Sequence, residues 1–132
     1  MTPPVLSAVY AALCALWFLG LTYRVIRLRL RFKVAHGDGG EKLLIRAIRG
    51  QANAAEQLPI ALILLILAEM LGAPAVAIHV IGVALLAGRI IHGLHFARVI
   101  GHNWRPVGMG LTLLSTTVLA LGILAHALIG AG

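Results

Sequence analysis

Acidic side chains are scarce in this chain, with 4 Asp and Glu against 11 Lys and Arg in 132 residues. Charged residues of both signs make up only 11%, aromatic residues 5%, and there is one cysteine, Cys14. Each scarcity excludes something. So few charges cannot coat a water-soluble domain of this size. A single cysteine permits no intrachain disulfide, and its place in an apolar run marks a buried structural thiol. The net charge of +7 comes from basic residues beside apolar segments, with few aromatics among them. It is read as membrane topology rather than as a nucleic-acid footprint, and no nucleic acid is expected as a partner.

What the chain has instead is apolar length. Hydrophobic residues reach 61% and the mean hydropathy is +0.99, which predicts an all-α integral membrane protein. Val5 to Tyr23 is uncharged and long enough to span a bilayer, and Arg24, Arg27, Arg29, Arg31 and Lys33 follow it. No basic segment precedes it, so it is an uncleaved first helix rather than a signal peptide. The stretch VAHGDGGE is a turn by its chemistry, with Gly37, Gly39 and Gly40 around Asp38,. It lacks the following Lys-Ser/Thr of a phosphate loop. Gly72, Ala73 and Pro74 make a second, tight turn flanked by Glu69 and His79, which are expected at the membrane interface,. Val99 to Arg105 is the last connection, and Pro106 opens a helix that carries no further charge,. The expected architecture is one domain, 1–132, an antiparallel four-transmembrane-helix bundle with helices at about 4–33, 42–71, 74–98 and 106–130.

Every Lys and Arg falls toward one side: the end of the first helix, the two longer connections, and the adjoining halves of the second and third helices. The positive-inside rule then places both termini on the non-cytoplasmic side.

The second helix carries a contradiction. Arg46, Arg49, Asn53 and Glu56 follow at +3, +4 and +3, so at about 100° per residue they share a sector of roughly 80°. Gln57 to Ala68 alone is too short to span, so the polar half lies within the membrane region,. A charged side chain there costs on the order of 3 kcal/mol, so the stripe faces protein or trapped water. An interhelical ion pair such as Arg49 with Glu56 would satisfy it. The third helix repeats the pattern, with Arg89, His92 and Phe96 on one face,. In antiparallel neighbours the two stretches lie at one depth, and Arg105, just before Pro106, hangs at the same side. The expected result is a cationic pocket with Arg49, Arg89 and Arg105 as anion clamps, Asn53 and Glu56 as acceptors, and His92 close by. It suits a small ligand bearing carboxylates, and a thiol whose thiolate an adjacent guanidinium stabilises. His92 and His95 stand three residues apart with no evident third ligand, so no metal is expected.

The motif R-x-x-x-N-x-x-E followed closely by Pro (Arg49, Asn53, Glu56, Pro59), the R-x-x-H of Arg89 and His92, and Arg105 opening the fourth helix together resemble one family. It is the membrane-associated proteins in eicosanoid and glutathione metabolism, and the resemblance covers nearly the whole chain. The HGDGG turn is most similar to the bacterial inner-membrane branch. The resemblance implies a homotrimer in the inner membrane, with glutathione or a similar anionic thiol bound as co-substrate at subunit interfaces. It implies a glutathione-dependent transferase or peroxidase acting on lipophilic electrophiles that arrive through membrane lipid. Arg49, Arg89 and His92 would hold the ligand's carboxylates or cysteinyl backbone, Glu56 its amino group, Asn53 would orient Glu56, and Arg105 would stabilise the thiolate. Two positions depart from the pattern. Phe96 replaces the tyrosine of prostaglandin-synthase-like members, and Pro106 replaces a serine found in some others, so eicosanoid synthesis is not implied. A non-catalytic lipid- or thiol-binding protein on the same scaffold is the alternative.

Overall fold

The computed structural model describes residues 3–101 and 103–130. They form α1 (Val5–Phe32), α2 (Lys42–Met70), α3 (Ala75–Phe96) and α4 (Trp104–Gly130). Each of the four is long and apolar enough to cross a membrane, and the chain is an all-α membrane protein. α2 and α3 form the middle of the bundle; α1 packs against both from one flank and α4 against both from the other.

Small residues set how closely these helices approach, as expected where lipid gives no hydrophobic drive to associate. Gly88 on α3 and Gly108 on α4 face each other, and a Cβ on Gly108 would stand 2.7 Å from the Gly88 carbonyl oxygen and 2.7 Å from the His92 backbone nitrogen. Gly82 makes room for the Tyr10 ring, and Gly93 for the Trp17 indole. Those two contacts bring α1 onto α3. Between them lies a layer built on Cys14, Leu21, Ala54 and Leu58. Outward, Val9, Leu13, Leu16, Leu121, Leu124 and Leu128 are exposed, as a lipid-facing surface requires,.

The helix ends are satisfied from other helices. α1 has no side-chain cap of its own. The Glu69 carboxylate on α2 accepts from the backbone N–H groups of Leu6 at 3.0 Å and Ser7 at 2.7 Å. An anion at a helix N-terminus offsets both the unpaired donors and the dipole. Tyr10 Oη and His79 Nδ1 pair beside it at 2.9 Å. At the other end Lys33 closes α1 in the left-handed conformation, and Arg29 donates to the carbonyls of Val34, Ala35 and Gly37, tying down the connection to α2. α4 begins at Trp104, ahead of the expected Pro106, so Arg105 is inside the first turn. Proline is tolerated there because a first-turn N–H has no helical acceptor.

Gly108→Ala should lower the detergent-solubilised melting temperature, since overpacking costs about 1–3 kcal/mol. Gly122→Ala, with nothing within 4 Å of its Cβ, should be neutral or stabilising, because alanine gains roughly 1 kcal/mol in helix propensity. Glu69→Ala should speed amide exchange at Leu6 and Ser7 while leaving the middle of α1 protected.

Candidate functional site

The polar halves of α2 and α3 meet at the start of α4. Arg49, Ala52, Asn53 and Glu56 from α2, His92 and Phe96 from α3, and Arg105 from α4 line one cavity of about 50 Å³. Of the residues expected at the site, Arg49, Asn53, Glu56, His92 and Arg105 are thus brought together. Their arrangement follows from helical periodicity on antiparallel neighbours, with α4 returning across the same end.

Arg89 stands behind this wall rather than in it. Its side chain is 1% exposed, with Nε donating to Thr112 Oγ1 at 2.9 Å and Nη1 to Asn53 Oδ1 at 2.7 Å. Thr112 in turn donates to the Gly108 carbonyl at 3.0 Å. Nη2 is buried without a partner, and only neutral oxygens face the guanidinium. A buried cation held this way is expensive unless an anion lies near. Arg89 does not line the cavity, and its hydrogen bond to the cavity wall is to Asn53. The Asn53 amide oxygen is committed to Arg89, which leaves its NH2 group to donate. Asn53 forms no hydrogen bond to Glu56 among the described residues, so the expected orienting of Glu56 by Asn53 is replaced by the Arg89 contact.

His92 is 2% exposed and its Nε2 has no partner. Its ring lies 4.9 Å from that of Phe96, and His95 meets Phe96 edge-on at 5.5 Å. The guanidinium carbons of Arg46 and Arg105 each lie 5.7 Å from the Phe96 centroid. Phe96 is therefore an aromatic platform with two cations against it, contacts worth about 0.5–1 kcal/mol each where exposed. Gly50 seats it: a Cβ there would be 3.0 Å from Phe96 Cβ. Arg105 has no hydrogen bond to another described residue, so the Phe96 ring is what aims it at the cavity.

Arg49, Glu56 and Arg105 are exposed. None of the hydrogen bonds among the described residues engages Arg49 or Glu56, so the ion pair between them is not formed. Two charges of opposite sign thus stand exposed on a membrane helix with no hydrogen-bond partner among the described residues, where desolvation is costly,. The cavity of about 50 Å³ is polar and large enough to admit water or a small polar group.

Thr112, Trp17 and Gly50 escaped the sequence reading. Trp17 Nε1 donates to the Arg89 carbonyl at 3.0 Å, and Thr112 supplies the acceptor for Nε. None has a motif of its own, and only contact between helices identifies them. Arg46, which shares the α2 stripe, turns away from the cavity and donates through Nη2 to the His95 carbonyl at 2.9 Å.

Known proteins share this chain's pattern. The profile of the MAPEG family matches residues 7–125. The inner membrane protein YecN of Escherichia coli K12 is 41% identical over 115 residues, covering 87% of this chain and 87% of that protein. YecN of Escherichia coli O6:H1 matches to the same extent. Four apolar helices, the clustered α2 and α3 motifs and a family match over nearly the whole length lead to one conclusion: the chain belongs to the MAPEG family.

Proposed function

We propose that the chain is a glutathione-dependent transferase-like protein of the bacterial inner membrane. It would bind glutathione or a related anionic thiol between copies of a homotrimer and conjugate it to lipophilic electrophiles drawn from the bilayer. The observation that carries this reading is the convergence of Arg49, Arg105 and Asn53, backed by the charge of Arg89, on a cavity whose only carboxylate among the described residues is Glu56. Such a wall favours a ligand with more negative than positive groups, and glutathione has two carboxylates and one ammonium. Arg49 pairs with a carboxylate, Glu56 with the ammonium, and the Asn53 NH2 and His92 Nε2 reach the peptide portion. A second copy laid over the exposed Arg49 and Glu56 would enclose the ligand. The name of the relative YecN supports the inner membrane.

Arg105 stabilises the thiolate. An opposite charge within about 4–6 Å lowers a pKa by roughly 1–3 units, raising the reactive fraction at neutral pH. The thiolate sulfur attacks the electrophilic carbon and forms the C–S bond, and the displaced electron pair leaves with the leaving group or is protonated from water. Phe96 gives the alternative its foothold. It lines the cavity without a hydroxyl to donate, which suits a protein that binds a thiol or lipid without turnover.

A thiolate-absorbance titration with glutathione in detergent separates the two readings. The wild-type protein should give a saturable signal. Arg105→Ala should cut it at neutral pH by up to about tenfold for each unit by which the bound thiol's pKa rises, while thermal stabilisation by glutathione persists. Unchanged signal in that variant would defeat the role given to Arg105. A glutathione-dependent rise in melting temperature with no thiolate in the wild type would establish the binding-protein reading. Phe96→Tyr should retain the signal and Phe96→Leu weaken it, because only the aromatic ring holds the guanidinium. Topology is checked separately: periplasmic reporters fused to either terminus should be active if the basic ends of the helices face the cytoplasm.

A further inference from the structure

A second cationic cavity lies at the same end of the bundle and shares no lining residue with the first. It measures about 440 Å³ and is walled by Arg46, His95, Arg98, Val99, Ile100 and Gly101. The simplest account of cations here is that they cap the C-terminus of α3, whose last carbonyls have no helical donors. That account covers part of them. Arg24 donates to the Phe96 and Ala97 carbonyls at 3.3 and 3.5 Å, and Arg46 Nη2 donates to the His95 carbonyl. The helix end needs no more. Arg46 Nε and His95 Nδ1 nevertheless remain buried without partners, and the whole Arg98 guanidinium is in excess. No carboxylate of a described residue lines this cavity.

Arg98 adds a second observation. It ends α3 with φ 60, its N–H donating to the His95 carbonyl. This is the left-handed position that glycine normally fills. Lys33 closes α1 in the same conformation, so this geometry fixes where the Arg98 side chain leaves the helix end without by itself marking a ligand,. Beside Arg98, Val99 is 69% exposed, so the cavity joins a cationic wall to an apolar lip just beyond the end of a membrane-spanning helix. That pairing matches an amphiphile whose anionic group sits at the interface and whose apolar part continues into the bilayer.

We propose that the Arg46–His95–Arg98 cavity binds a phosphate group, supplied by the headgroup of an anionic phospholipid in the adjoining leaflet. Arg98 and Arg46 contact the phosphate oxygens, His95 Nδ1 donates in its N–H tautomer, and Val99 packs on the lipid's apolar part. This inference is independent of the thiol reading, since the two cavities have different walls.

Arg98→Gly tests it cleanly, because glycine relaxes the left-handed backbone while removing the guanidinium. The variant should fold at least as stably as the wild type. Stabilisation of the detergent-solubilised protein by phosphatidylglycerol in mixed micelles, measured against phosphatidylcholine, should be saturable and weakened by salt. The affinity it reports should fall roughly tenfold in Arg98→Gly and in Arg46→Gln, the loss expected for one charge-assisted hydrogen bond of about 1.4 kcal/mol or more. Competition by millimolar inorganic phosphate, with no preference for phosphatidylglycerol, would keep the phosphate site and make its source soluble. Equal stabilisation by the two lipids without phosphate competition, or undiminished stabilisation by phosphatidylglycerol in Arg98→Gly, would overturn the proposal. Glutathione-dependent stabilisation should be unchanged in Arg98→Gly, so failure of either reading leaves the other standing.

Discussion

The buried guanidinium of Arg89 is the constraint around which the molecule is arranged. It lies in the middle of a membrane bundle, where an isolated charge is least tolerable. Three helices contribute to holding it: its own α3, α2 through Asn53, and α4 through Thr112. Trp17 on α1 donates to its carbonyl. The close approach of Gly88 and Gly108 is what lets Thr112 reach Nε. Helix packing and the polarity of the site are one arrangement here, because the contacts that pull α4 against α3 also satisfy the arginine. The neutral partners it receives leave its charge uncompensated, which makes the neighbouring cavity attractive to an anion.

The two ends of the bundle solve opposite problems with opposite charges. Where α1 begins, unpaired N–H groups are met by the Glu69 carboxylate; where α3 ends, unpaired carbonyls are met by Arg24 and Arg46. In each case the partner comes from a different helix, so the caps also fix how the helices are registered along one another. The carboxylate of Glu69 is thereby committed to structure. The basic end carries more donors than its carbonyls require, and it is there that both cavities with functional promise open. Phe96 stands at their boundary, lining one while the Arg46 beside its ring lines the other.

The number and type of helices were legible because each is a long apolar run ended by glycine, proline or a basic cluster. The α2 motif was legible because charge inside such a run is so costly that its spacing carries information. Arg49, Asn53, Glu56, His92 and Arg105 could be placed near one another from periodicity and antiparallel neighbours alone. Arg89 shows the limit of that reasoning. Helical phase puts it on the same face as His92, yet its length and the gap left by Gly108 carry the guanidinium inward to Thr112 and Asn53. Arg46 shows the same limit from the other side, since one turn along the stripe is enough to move it from the anion cavity to the end of α3.

Composition and hydrophobic periodicity therefore determined the all-α membrane architecture and which residue types had to be sheltered from lipid, because those depend on transfer free energies that belong to each residue. The tertiary structure alone decided which arginine is buried, which ones line the cavity, and that the Phe96 ring lies against Arg105, because those depend on how closely glycines let neighbouring helices approach.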